Sequence, residues 1–257
     1  MIVDVHAHVR FSFDEVDEMV KAAKRFDIEK IVVSRVHFYK EDVEGYYRNP
    51  EPEMFVEGNR MVYECMRRYP GTIFGLAFVN PLYTEESVKE IEACVKELGM
   101  VGVKLHVECL ATDSHVFPII EKCIELDVPI LHHAWLRTGG KSKSMPNEST
   151  PFELAELAIR YPDATFQMAH VGGNWEVGIK AIKDLDNVYV DTCGGEPALG
   201  AVEMAVEELG AKRVLFGTDA PVRIVEAEIA KVLAADISSY EKKLILEDNA
   251  RRIINLG

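Results

Sequence analysis

Apolar and polar positions along this chain switch repeatedly between a period of two and a period near 3.6. Residues 2–8 alternate, with Val3, Val5 and Ala7 set against Asp4, His6 and His8. Side chains two apart share one face of a strand, so this stretch predicts a strand with an apolar side and an imidazole-bearing side. Residues 14–26 then place Val16, Met19, Val20 and Ala23 at helical spacing behind acidic first turns, which predicts the first helix. The apolar run 30–36 predicts a buried strand. The aromatic-rich segment 37–55 follows neither period and predicts a long loop that helps roof a pocket.

The same alternation continues to the end. A helix is predicted over 56–69, broken by Pro70-Gly71, then a strand over 73–79. A helical stripe of Val88, Ile91, Val95 and Leu98 ends at Gly99, and 102–106 is the fourth strand. A helix over 116–126 leads to a fifth strand, 128–133, whose Pro129 sits at its start, where a proline is tolerated. Thr150-Pro151 is an N-cap followed by proline at the first helical position, and opens the next helix. Strands over 164–170, 187–191 and 213–221 follow, separated by helices over 177–183 and 199–209, and helical segments run to 254. Eight strands alternating with helices predict a parallel sheet, and eight such units close into a single (β/α)8 barrel over residues 1–257, distorted in places.

In such a barrel the carboxyl ends of the strands gather at one face. His6, His8, Lys104, His106, His133, His170, Asp191 and Asp219 all stand at predicted strand ends, so residues scattered over the sequence converge in space. Imidazoles and carboxylates suit zinc and similar divalent ions, and about three ligands with an open position mark a catalytic site. A bound dication brings the pKa of its water down to about 7, with a carboxylate nearby to accept the proton.

Composition narrows the possible partners. With 29 Lys plus Arg against 43 Asp plus Glu the net charge is −14, which repels phosphate backbones and anionic lipid. Nucleic acid and membrane are not expected as partners, and a soluble, cytoplasmic protein is. The 5 cysteines are odd in number and Cys65, Cys94 and Cys123 lie within apolar helical patterns, which predicts reduced core thiols. The lysines of the loop 139–147 are either an anion-facing pair or a solvated stretch, and His37 and His115 read as structural. Homodimerisation is left open.

The ordered set of motifs resembles the amidohydrolase superfamily, within it the amidohydrolase-2 group of hydrolases and non-oxidative decarboxylases. The resemblance rests on His6-Ala7-His8, Val103-Lys104-Leu105-His106, Val128-Pro129-Ile130-Leu131-His132-His133 and Ala169-His170-Val171-Gly172-Gly173. It extends through Leu215-Phe216-Gly217-Thr218-Asp219-Ala220-Pro221 to Asp248-Asn249-Ala250-Arg251-Arg252. It implies one divalent metal ion, Zn2+ first and Mn2+ next, on His6, His8, His133 and Asp219. Asp219 would also serve as proton acceptor, and His170 as acid, base or orienter. His132 would then pack outside the barrel. Some superfamily members carry a carbamylated strand-four lysine between two metals. The expectation here is one metal, with Lys104 and His106 turned to a substrate carboxylate, against a Lys104 paired with Asp191 or Glu108. Trp135 and Arg137 are expected to wall the pocket and clamp an anion.

These readings lead first to a hydrolase of a small carboxylated amide, ester or lactone. The alternative on the same residues is a non-oxidative decarboxylase of a small aromatic or enoic acid. A third reading is a barrel that binds a small anionic molecule without turnover.

Overall fold

In the computed structural model, residues 1–10, 12–36, 49–139, 145–194 and 199–257 are described. Eight parallel strands lie in sequence order in one sheet: β1 (Ile2–His8), β2 (Ile28–Ser34), β3 (Ile73–Phe78), β4 (Gly102–Leu105), β5 (Ile130–His132), β6 (Phe166–Met168), β7 (Val188–Asp191) and β8 (Val214–Leu215). The seam between β8 and β1 is held by Val5 N donating to Phe216 O at 2.9 Å and His8 N donating to Ala220 O at 2.7 Å. The result is a nearly closed (β/α)8 barrel, as the alternation predicted.

Helices α1 (Phe13–Lys24), α2 (Pro52–Arg68), α3 (Thr84–Lys96), α4 (Phe117–Glu125), α5 (Pro151–Arg160), α6 (Trp175–Ala181), α7 (Ala201–Leu209) and α8 (Val225–Ala234) join the strands or follow the last. The chain ends in α9 (Ser239–Lys243), a π-helical turn (Leu244–Asp248) and α10 (Asn249–Ile253). Helix α5 starts where its signals place it: Thr150 and Glu153 form a capping box, with Pro151 in the first turn. Helix α2 starts earlier than its apolar spacing suggests. Pro52, preset for the first helical turn, opens it, and Phe55 of the supposed loop is a fully buried core residue. Residues 37–48 of that loop, with His37, and 140–144 of the lysine loop lie outside the described residues.

The main core lies between barrel and helices, where Val33, Phe78, Leu105, Phe166 and Val190 meet Val16, Phe55, Ile91, Ile120 and Leu154. A smaller apolar cluster joins Val32, Leu76, Leu131 and Leu215 to Val3, Val5, Ile254 and Leu256. Register sorts the strand side chains. Lys104 pairs with Leu131, Leu131 with Gln167, and Gln167 with Tyr189, one ring around the barrel. His132 instead shares its row with Leu105 and Met168, both in the main core. It is buried there, with Nδ1 2.7 Å from the carbonyl of His133. The five cysteines are free and buried. Among the described residues no helix is long and apolar enough to cross a membrane.

Candidate active site

The carboxyl end of β1 meets the turn after β8. Asp4 accepts hydrogen bonds from Thr218 Oγ1 at 2.5 Å, Thr218 N at 3.0 Å and His6 N at 3.1 Å. Burial pushes its carboxyl up to about 7. This clamp, with Asp219 N donating to His6 O at 2.6 Å, seats Asp219 beside the two histidines in a left-handed conformation, φ 56°. Gly217 lets the backbone cross close here, because a Cβ there would stand 3.0 Å from His6 Cβ and crowd it.

The tautomers of His6 and His8 follow from their partners. His6 Nδ1 lies 2.9 Å from Asp191 Oδ2, and a carboxylate only accepts, so Nδ1 carries the proton. His8 Nδ1 lies 3.1 Å from Ser34 Oγ and 3.4 Å from the Ser34 carbonyl, which likewise only accepts. Both Nε2 atoms therefore present lone pairs, and they stand 3.2 Å apart. Asp219 Oδ1 lies 3.1 Å from the Nε2 of His8 and 3.9 Å from that of His6. Three electron-rich atoms facing one point repel unless a cation lies among them, and two imidazoles with a carboxylate are donors that fit a divalent metal. Lys104, fully buried, brings its Nζ to 3.3 Å from His6 Nε2.

Burial sets the protonation of the site. It lowers His6 to about 4, helped by the charge of Lys104, and it lowers His133 and, much further, His170. His6, His133 and His170 are thus neutral near pH 7, the form that ligates metal or takes a proton. Burial also pulls Lys104 down to about 8 against the attraction of Asp219 and Asp191. For Asp219 burial acts upward, but the imidazoles of His170, His8 and His6 outweigh it and hold the carboxyl well below its usual range.

Around this centre stands a second set. Asp191 accepts from His6 Nδ1, from Gln167 Nε2 at 2.8 Å, from His170 N at 2.9 Å and from Cys193 Sγ at 2.9 Å. His170 and Val171 both adopt left-handed backbone, at φ 63° and 46°, which aims the His170 ring back at the site. Its Nδ1 lies 3.2 Å from Cys193 Sγ. The Trp135 ring stands edge-on to His170 at 5.3 Å and parallel to His133 at 6.4 Å. The indole fits because Gly173 has no Cβ, which would lie 2.9 Å from Trp135 Cγ.

A family model described as Amidohydrolase matches residues 3–256. The chain belongs to the amidohydrolase family. It is 24% identical over 280 residues to a 2-amino-3-carboxymuconate-6-semialdehyde decarboxylase of Dictyostelium discoideum, covering 93% of this chain and 76% of the relative. It is 25% identical over 244 residues to a 2-keto-4-carboxy-3-hexenedioate hydratase of a Sphingobium species, covering 76% and 69%. In fold it resembles a solved dihydroxybenzoic acid decarboxylase of a Polaromonas species, which holds manganese and the inhibitor 2-nitroresorcinol. The TM-score is 0.78 at 19% identity, over 98% of this chain and 96% of that one.

In this amidohydrolase three of the four expected metal ligands, His6, His8 and Asp219, bring ligand atoms within 4.8 Å of one another. His133 stands beside them rather than among them. Its ring is 5.0 Å from that of His170, its Nε2 lies 3.0 Å from Glu148 Oε1, and its Nδ1 is buried without a hydrogen bond. Arg137, expected to clamp an anion, is committed to Glu148: Nε lies 2.7 Å from Oε2 and the second terminal nitrogen 2.9 Å from Oε1. That bidentate carboxylate takes two of the guanidinium's five N–H donors and offsets its charge. Lys104 pairs with His6 rather than facing an open wall, and neither Asp191 nor Glu108 bonds to it. His106 is buried with its ring 4.7 Å from that of His133. His115 is exposed, its Nδ1 2.7 Å from Asp113 Oδ1, and takes no part.

Gln167, Glu148, Ser34 and Cys193 escaped the sequence reading. Glu148 follows the lysine loop with no periodic signal. Ser34 looks like any strand-end serine. Cys193 was detectable, because it stands two residues after Asp191 at a strand end and the alternation that pairs His6 with His8 applies to it.

Proposed function

We propose that this chain is a metal-dependent, non-oxidative decarboxylase of a small, planar, conjugated carboxylic acid. The observation that carries the reading is the convergence of the lone pairs of His6 and His8 with Asp219, next to a neutral imidazole, His170, that is not part of that trio. Two kinds of relative support it over hydrolysis: the Dictyostelium and Polaromonas proteins are decarboxylases, the Sphingobium protein is a hydratase, and none of the three is described as cleaving an amide, ester or lactone.

His6, His8 and Asp219 would hold the ion, with His133 as the adjoining neutral imidazole. A bound Zn2+ or Mn2+ would supply a Lewis acid that orients the substrate's oxygens and draws electron density from its π-system. Asp191 keeps the proton of His6 on Nδ1, and Ser34 does the same for His8. In the reaction the bond between the carboxylate and its carbon breaks, carbon dioxide leaves, and the carbon keeps the electron pair and takes one proton. His170 is the residue we assign to deliver it. Its buried ring is neutral at rest and holds an added proton weakly, so it would take a proton from solvent and pass it to the carbon, with Nδ1 against Cys193 leaving Nε2 for that transfer. Asp219 takes part in positioning through its place between the two histidines.

The test is direct. Metal-loaded protein is incubated with a panel of hydroxybenzoic and carboxymuconic acids, and carbon dioxide release is measured beside the loss of substrate absorbance. Release from at least one acid, abolished in Asp219→Asn, is the expected result. Absorbance change without carbon dioxide, together with a hydrated or hydrolysed product, refutes the reading. Metal analysis should return one equivalent per chain. Two equivalents would instead favour a carbamylated Lys104 between two ions.

A further inference from the structure

Behind the metal trio, at the ends of β6 and β7, His6, His170 and Asp191 close around the buried thiol of Cys193. Its Sγ lies 2.9 Å from Asp191 Oδ1, 3.2 Å from His170 Nδ1 and 3.4 Å from His6 Nδ1. A thiol has one proton to give. Asp191 Oδ1 only accepts, so the S–H donates to it. The sulfur then turns lone pairs toward His170, and they are satisfied there only by a proton on Nδ1. His6 Nδ1 does not compete for them, because its proton goes to Asp191 Oδ2 at the shorter distance of 2.9 Å.

Local packing holds this arrangement. Lys231 of α8 donates to the Gly194 carbonyl at 2.7 Å and to the Thr192 carbonyl at 3.5 Å, which pins the turn that carries Cys193. Gly194, at φ 67°, lets that turn lie against the His170 ring, since a Cβ there would stand 3.1 Å from His170 Cβ and 3.2 Å from Nδ1. The backbone N–H of His170 donates to the same Asp191 Oδ1, at 2.9 Å. Backbone and turn fix where the ring sits, and the thiol distinguishes its two nitrogens.

We infer that Cys193 is a positioning residue that keeps the His170 proton on Nδ1, so that the single carboxylate of Asp191 sets the tautomer of the metal-facing His6 directly and of the proton-delivering His170 through sulfur. This rests on the decarboxylase reading for what His170 does, but not for which nitrogen carries the proton. Neutral His170 then presents the Nε2 lone pair. A proton from solvent adds there, the Nε2–H bond breaks as the new C–H bond forms, and the ring returns to its Nδ1–H form. The opposite tautomer has no lone pair on Nε2 to receive that proton.

The test reads the tautomer itself. Zn2+-loaded protein with isotope-labelled histidine ring nitrogens is measured by NMR near pH 7, where protonated and bare ring nitrogens separate widely in shift, and His170→Gln identifies the His170 signals. The expected result is one His170 tautomer, Nδ1–H, in the unmodified protein and in Cys193→Ser, whose hydroxyl keeps a donor and an acceptor, and a mixture of tautomers in Cys193→Ala. One modest hydrogen bond biases an equilibrium about two- to tenfold. In Cys193→Ala kcat for carbon dioxide release should therefore fall by up to about tenfold with KM within about twofold, and Cys193→Ser should restore it. Because Asp191 holds His6 directly, the metal Kd should stay within about threefold in Cys193→Ala. An Nε2–H tautomer in the unmodified protein overturns the proposal, as does an Nδ1–H tautomer or a kcat unchanged in Cys193→Ala, or a larger loss of metal affinity there. If the tautomers behave as stated and no acid releases carbon dioxide, the decarboxylase reading fails and the role of Cys193 in setting the tautomer stands. If carbon dioxide is released and His170 is protonated on Nε2, the reverse holds.

Discussion

Replacing Asp191 by Asn should cost this protein both metal affinity and stability. All four partners of the carboxylate are donors: His6 Nδ1 and Gln167 Nε2 on Oδ2, His170 N and Cys193 Sγ on Oδ1. An asparagine keeps one oxygen and turns the other into an NH2 group, so in either orientation two donors face a donor. With the NH2 toward His6, the imidazole must shift its proton to Nε2, the atom that points at Asp219 and His8. With the NH2 toward His170, the backbone N–H of a strained left-handed residue is orphaned. Hydrogen bonds to a buried charge contribute about 1.5–3 kcal/mol each, so two lost bonds amount to roughly 3–6 kcal/mol. That corresponds to a fall in Tm of roughly 6–24 °C for a domain of this size. Loss of such a histidine-orienting carboxylate typically weakens metal affinity about 10- to 100-fold, or about 1.4–2.7 kcal/mol. The assay is chelator competition for the metal Kd, beside circular dichroism and calorimetry on the stripped protein. Gln167→Ala, which removes one donor without touching His6, should lose far less affinity. Metal binding by Asp191→Asn within twofold of the unmodified protein would refute the tautomer argument.

Two further outcomes follow from the same geometry. Gly173→Ala places a Cβ 2.9 Å from Trp135 Cγ at a φ of +77°, so it should cost about 1–2 kcal/mol in backbone strain and shift the Trp emission; an unchanged Tm and spectrum would contradict the close approach. Glu108 is buried, neither carboxyl oxygen has a hydrogen-bond partner, and burial pushes it up to about 7. The folded chain therefore keeps its proton to higher pH than the unfolded chain does, so this residue's penalty is absent near pH 4, grows as pH rises toward 7, and is complete above it. Glu108→Gln should raise Tm by several degrees at pH 8, from a penalty of about 3 kcal/mol, and by little at pH 4; an equal effect at both would refute the assignment.

What the chain order alone determines here is everything that backbone periodicity controls. The alternation of residues 2–8, the capping signal at Thr150-Pro151 and the glycine breaks place all eight strands, because a strand's two faces and a helix's turn depend on neighbours within a few residues. The same local rule puts His6, His8, His133, His170, Asp191 and Asp219 at strand ends. The limits are equally local: strand β8 pairs only over Val214–Leu215, because the segment after it leaves the ladder to bond with Asp4, His6 and His8.

Which strand-end residues touch, and through which atom, only closure of the barrel decided. Asp191 lies 185 positions from His6, and no local pattern announces that its oxygen fixes the proton of that ring. Arg137 was legible as a cation near the mouth; that Glu148 offsets its charge was not. Chemistry at the site depends on tautomer, burial and pairing, and those are properties of side chains brought together from distant strands rather than of any stretch of chain.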